Sequence, residues 1–436
     1  MAGAEPTGFL GLSHLGLVSS IGWASFGRPV RAVDLDPTPV EMLTRGELPV
    51  HEPSLDQLFA RHRTWMTFST DPSTLAGCPL VIVARDVPTD VSNASDTSVV
   101  LELVDAAIPQ LRPGVTLALM SQVPPGFTRG LADRIRARRP GLTFRLYYWI
   151  ETLIFGAAVE RYLKPERIMI GCADPTAPLS PELDAGLRRF GCPILPMAYE
   201  SAELTKTAIN LYLGAAVTYA NTLSDLCEAV GADWGEMVPA LRLDKRIGPA
   251  AYIRPGLGIA GGNLERDMIT LRDLCRARGV NAAFIETMIE YNARRDEWVH
   301  RRLHEHAFAR TPHPVIAVWG LAYKKNTRST KNSMSLRVIG DLRGRADVRA
   351  WDPVVKAIEV DVPAKIVAER DEALAGADCL LILTDWDEFG VPSAEGFRSM
   401  RRPVVIDCVG VVDQARADLR GVHYVCMGRA ARGVGN

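Results

Sequence analysis

Paired cysteines are missing from this chain of 436 residues. Its eight thiols, Cys78, Cys172, Cys192, Cys227, Cys275, Cys379, Cys408 and Cys426, form no C-x-x-C pair and no zinc-ligand spacing. That argues against a thiolate zinc site or a dithiol redox centre, and it suits reduced thiols buried as small hydrophobes in an intracellular protein. Long apolar runs are missing as well. Although 47% of residues are hydrophobic, nothing approaches the roughly 20 consecutive apolar residues that span a bilayer. The opening MAGAEPTGFLGLSHLG lacks a basic-then-apolar leader pattern. A cytoplasmic location with no membrane partner is expected. The third absence is a surplus of either charge: 50 basic residues face 51 acidic ones, so no global field draws the chain to nucleic acid.

What is present, first of all, is length. The chain exceeds the size at which one core keeps growing, so two or three domains are expected. Residues 1–200 alternate short apolar runs (FLGL, VRAVDLD, LVIVARD, VTLALMS) with amphipathic stretches, the βαβ rhythm of a parallel sheet covered on both faces. Residues 201–311 are helical. The proline-free segment SAELTKTAINLYLGAAVTYANTLSDLCEAVG, Ser201–Gly231, reads as one helix of about eight turns. Such a helix suits pairing with a second copy, and a homodimer is expected. From residue 312 the strand pattern returns in HPVIAVWGLAYK, ADCLLILTDW and RPVVIDCVG. VWGLAYK…VRAWDP echoes FLGLSHLG…VRAVDLDP. The expected α/β fold is therefore two Rossmann-like doubly wound domains joined by a helical middle domain with a long central helix.

A dinucleotide signal sits at the start. Gly11, Ser13 and Gly16 occupy the three glycine positions of G-x-G-x-x-G between an apparent strand and helix, and Asp34 ends the next strand. A tight turn, a helix start facing phosphate and a carboxylate for ribose hydroxyls are what NAD requires, and Asp34 opposes a 2′-phosphate. Serine at the second position adds a side chain where pyrophosphate must pass. Metal ligation has little support. His300 and His304 stand four apart near His306, but no H-E-x-x-H pattern exists and the flanks are arginine-rich, so a solvated face is expected and no metal is assigned.

The run GLVSSIGWASFGRPVRAVDLDPTPVEMLTRGELPVHEPSLDQLF resembles the opening of the UDP-glucose/GDP-mannose dehydrogenase family. The likeness continues in family order through SQVPPGFT, VERYLKPERIMIG, ELTKTAINLYL, LDKRIGPAAYIRPGLGIAGG, GLAYKKNT, VRAWDP and VVID. It implies an NAD-dependent oxidoreductase that oxidises the C6 alcohol of a nucleotide-linked sugar, UDP-glucose by default. In that family a cysteine holds the aldehyde as a thiohemiacetal and then as a thioester. By this resemblance Lys206 and Asn210 surround the reacting carbon, while Glu151 and Asp267 orient water or relay a proton. Arg246, Gly258 and Lys324 face the nucleotide sugar, and Thr89 and Lys331 join Gly11, Ser13, Gly16 and Asp34 at the cofactor. Spacing alone puts Lys206 and Asn210 on one helical face.

The departures cluster around the reacting centre. In PGLGIAGGNLERD, Pro255–Asp267, Asn263 stands where the family has its cysteine, and an amide is not a nucleophile. Gln122 replaces a threonine, Phe155 a second glutamate, Arg266 a lysine, and Val409 an arginine. Arg328 and Ser329 replace an acidic pair, and Lys331 an arginine. Three readings follow. Lys206, Asn210 and Asn263 steady an alkoxide during a single alcohol oxidation without a thioester, or a hydrated aldehyde is oxidised a second time. The third is a catalytically silent homologue that binds a nucleotide sugar or regulates a partner. The first is the expected one.

Overall fold

The structure is a computed structural model and describes residues 5–88, 95–259, 263–413 and 417–429. It divides into two compact units, residues 1–208 and 209–436.

The first unit carries an eight-stranded sheet: β1 (Thr7–Leu10), β2 (Val30–Val33), β3 (Met66–Ser69), β4 (Leu80–Val83), β5 (Val115–Leu119), β6 (Phe144–Trp149), β7 (Ile168–Cys172) and β8 (Ile194–Ala198). Their spatial order is β3-β2-β1-β4-β5-β6-β7-β8, of which the first six follow the dinucleotide-binding order. Sequences such as LVIV in β4 are buried along their whole length. A strand covered on both faces reads as a continuous apolar run rather than an alternation. The helices are α1 (His14–Ala24), α2 (Pro37–Arg45), α3 (Leu55–His62), α4 (Ser98–Ala107), α5 (Phe127–Arg138), α6 (Ala158–Leu163) and α7 (Pro181–Leu187). Local chemistry sets several starts: Asp36 accepts from the Thr38 amide ahead of α2, with Pro37 in its first turn. The core groups Phe9, Trp23, Ile82, Trp149 and Phe190 among others. One pairing departs from the expected parallel sheet, because β6 and β7 run antiparallel.

The long helix α8 spans Tyr199–Val230, 32 residues, within one residue or two of the sequence expectation. At 1.5 Å per residue it is about 48 Å long. The division between the units falls inside it.

In the second unit, α9 (Trp234–Leu243), α10 (Asn263–Ala277), α11 (Ala283–Ala293) and α12 (Asp296–Leu303) follow. Val217 of α8, Ile259, Met268 and Leu271 of α10, and Ile285 and Met288 of α11 form an apolar cluster. Then come β9 (Val315–Trp319), α13 (Met334–Asp341), β10 (Asp347–Trp351), β11 (Lys365–Ile366), β12 (Cys379–Ile382), α14 (Ala394–Ser399), β13 (Val404–Asp407) and β14 (His423–Cys426). They make a six-stranded sheet of order β11-β10-β9-β12-β13-β14, parallel at every pairing. Among the described residues no helix is long and apolar enough to cross a membrane.

Candidate active site

In the first unit the candidate residues emerge together from one edge of the sheet. The glycine loop follows β1, Asp34 follows β2, Arg85 and Asp86 follow β4, Gln122 follows β5 and Glu151 follows β6. This is the carboxyl end of parallel strands, where doubly wound sheets bind their ligands. Gly11 has φ +106°, and a Cβ there would lie 2.9 Å from the Ala84 carbonyl oxygen; a Cβ on Gly16 would collide with the Gly11 carbonyl. The turn tolerates only glycine at both positions, as a dinucleotide cradle demands. Asp34 is buried. Its Oδ2 accepts from the Leu12 amide at 2.6 Å and from Arg85 Nη1 at 3.0 Å, and its Oδ1 from the Asp36 amide at 3.1 Å. A carboxylate has about four acceptor positions, so room remains for a ribose hydroxyl. The residues present fit NAD at Gly11, Gly16 and Asp34. Ser13 Oγ accepts from the Asp86 amide at 2.8 Å.

Lys206, on α8, is 8% exposed. Its Nζ donates to the Glu151 carbonyl at 2.9 Å and to Glu151 Oε1 at 3.1 Å. Glu151 Oε2 in turn accepts from the Leu153 amide at 2.6 Å. The ammonium thus spends two of its three donors among the described residues and keeps one. Phe155, at the position of the family's second glutamate, is half-exposed and tilts against His14 with ring centroids 4.4 Å apart. Its loop is pinned by Glu52, which the sequence reading did not single out. That carboxylate is buried, and it accepts from the amides of Gly156 (3.0 Å) and Ala158 (3.2 Å) and contacts His14 Nε2 at 2.8 Å. Burial pushes the Glu52 carboxyl up, but the His14 contact and the two amides outweigh it and hold the group below the usual carboxylate range.

In the second unit Asn210 Nδ2 donates to Asp267 Oδ2 at 2.6 Å, and Arg266 Nε sits 3.3 Å from Asp267 Oδ1. Asp267 and Arg266 are both buried, so the aspartate is a paired, hydrogen-bonded charge. α8 carries Lys206 and Asn210 one turn apart. The side chain of Asn263 and the whole of Thr89 lie outside the described residues. Among the described residues the thiols sit in apolar or buried surroundings. Cys275 packs against the Met268 cluster, and burial raises the thiols of Cys172 to about 11 and Cys426 to about 12, the opposite of what a nucleophile requires.

A cavity of about 300 Å³ lies in the second unit and is lined by Gly258, Tyr252, Arg254, Tyr323, Asp385 and Val409 among others. Arg254 Nη2 donates to the Val409 carbonyl at 2.7 Å, and Nη1 lies 3.3 Å from Asp385 Oδ2. A guanidinium therefore reaches the main chain at Val409 along this cavity. Its role was missed because the donor is 155 residues distant in sequence from its acceptor. Arg246 is 88% exposed at its side chain and forked onto Asp244 (2.7 and 3.0 Å), away from this cavity's lining. The Lys324 ammonium lies over the Tyr323 ring at 5.6 Å, and Lys331 is exposed with its amide on Ser329 Oγ at 3.4 Å. His300 contacts Asp341 beside Asp296, and Arg337 pairs with Asp296 at 2.6 Å, so a cation already occupies one side of that cluster.

Comparison with known proteins decides the family. Residues 7–182 match the NAD binding domain of the UDP-glucose/GDP-mannose dehydrogenase family, residues 200–294 its central domain and residues 317–414 its UDP binding domain. The chain belongs to this family. Similar proteins are a UDP-glucose 6-dehydrogenase of Pseudomonas aeruginosa, 30% identical with 97% of each chain covered, and one of Bacillus subtilis, 27% identical with 97% of this chain and 93% of the relative covered. Among solved structures, a UDP-glucose dehydrogenase of Pyrobaculum islandicum is 26% identical, covers 98% of both chains and superposes with a TM-score of 0.84. The family is one of NAD-dependent oxidoreductases acting on CH–OH donors, and this chain carries its cofactor domain, its helical centre and its nucleotide-binding domain.

Proposed function

We propose that the protein oxidises one alcohol of a nucleotide-linked hexose, by default C6 of a UDP-hexose, and releases the carbonyl product without forming a thioester. The observation that carries this reading is the ion pair between buried Lys206 and partly buried Glu151 at the carboxyl edge of the cofactor domain's sheet. Bound NAD supplies the hydride acceptor. Lys206 directs its remaining N–H at the substrate oxygen and steadies the alkoxide as the C–H bond is cleaved. Glu151, oriented by the Leu153 amide, takes the hydroxyl proton. Asn210 donates one amide N–H to Asp267 within the second unit. With asparagine at position 263 and no activated thiol, the acyl transfer that leads to an acid lacks its nucleophile.

The test is purified protein with NAD and UDP-, GDP- or dTDP-hexoses, monitored for NADH. Turnover with one of these sugars, and a fall of about a hundredfold or more in kcat for Lys206→Ala, supports the reading. Unchanged turnover in the variant contradicts it. A silent homologue that binds a sugar without oxidising it is the second reading, favoured by the Asp86 carboxylate on the first turn of α1; it predicts no NADH with any of the three.

A further inference from the structure

The start of α1 already holds an anion belonging to the protein. Asp86 Oδ2 accepts from the Leu15 amide at 3.0 Å, and the amide of Asp86 donates to Ser13 Oγ at 2.8 Å. The neighbouring Arg85 turns away from this anion, with its amide on Ser121 Oγ and Nη1 on Asp34. Free N–H groups and the positive end of the helix dipole at such a position are what bind a pyrophosphate. A carboxylate placed there takes one of the donors and carries the same sign of charge as the ligand.

The serine at the second glycine position explains how Asp86 is kept in place. Glycine has no side chain to offer the Asp86 amide, whereas Ser13 does, and that bond draws residue 86 against the loop. Asp86 is itself exposed, so its carboxylate fills no core position. Asp34 and Glu52, which also bind this loop and α1, are buried and accept from Leu12, Arg85 and Asp36, and from the Gly156 and Ala158 amides beside His14, respectively.

We propose that Asp86 sets the cofactor affinity of this chain by standing in for the diphosphate at the α1 start, so that a dinucleotide binds by displacing it. The proposal rests on the NAD-linked reading above and concerns binding rather than turnover. Asp86→Asn retains an oxygen for the Leu15 amide and removes the charge, so the loop keeps its fold. Titration calorimetry of the full chain with ADP-ribose, and ligand-observed NMR with adenosine, separate the two parts of the ligand. Two like charges within a few ångströms at a solvated rim are worth roughly tenfold in affinity. Asp86→Asn is expected to tighten ADP-ribose by about tenfold and to leave adenosine within about twofold. Equal ADP-ribose affinity in both proteins, or equal tightening of adenosine, overturns the proposal while the cofactor reading stands. No ADP-ribose binding by either protein overturns both.

Discussion

Glu52 shows how one side chain can tie a loop to a helix start. The amides of Gly156 and Ala158 and the His14 imidazole converge on its carboxylate, and the loop of the two amides presents Phe155 to His14. Glutamine at this position offers one acceptor oxygen and turns an NH2 toward groups that are themselves donors, a loss of about 1–3 kcal/mol at neutral pH. The pH dependence has a definite sign. The folded-state pKa lies below the ordinary value of 4.5, so the contribution is complete above that value and disappears as pH falls through the lower folded one. Denaturant unfolding is therefore expected to show Glu52→Gln less stable than the parent at pH 7, with the gap narrowing in acid. A gap independent of pH contradicts the role assigned to the carboxylate. The sequence disclosed part of this residue scale. Lys206, Asn210, Asp267 and Glu151 could be nominated because neighbouring residues follow a family pattern, and the structure supplies a carboxylate partner for each of the first two. Glu52, Asp86 and Arg254 could not, because their partners lie 38 to 155 positions distant in the chain and no local spacing announces such pairs.

At the scale of the element, α8 carries more than the reacting residues. Tyr212, Tyr219, Leu226 and Val230 are exposed at 68, 46, 52 and 68%. Steps of seven, seven and four residues keep them within about 40° of one another around the helix. A row of exposed apolar side chains on one helical face is the signature of a buried contact, and a second copy of the chain is the occupant we propose. Tyr219→Glu with Leu226→Glu is expected to give monomers in light scattering where the parent gives dimers; a monomeric parent contradicts the homodimer. Elements were the most legible level. The apolar runs marked the strands, and the proline-free stretch marked α8. The reversed pairing of β6 and β7 was not legible, since side-chain alternation identifies a strand without its direction. The echo between the two ends of the sequence has a structural counterpart. Asp34 accepts from the Leu12 amide after β1, and Asp352 accepts from the Leu321 and Ala322 amides after β9. In both sheets the carboxylate after the second strand ties down the turn after the first.

At the scale of the whole molecule, the chain retains the family's three parts in order, and by our proposal it departs at the positions that serve the acyl half of the family reaction. On that reading Asn263 and Phe155 stand where the family has a nucleophilic cysteine and a glutamate. Lys206 pairs with Glu151 in the first unit and Asn210 with Asp267 in the second, the residues our proposal assigns to hydride transfer. Family order was readable because motif sequence survives at about this level of divergence. What the altered residues do instead depends on pocket shape, which no motif encodes. The most direct measurement is the amount of NADH formed per nucleotide sugar consumed at completion. One NADH per sugar is the result expected of a single alcohol oxidation; two would show that acid forms without the cysteine and would contradict the account.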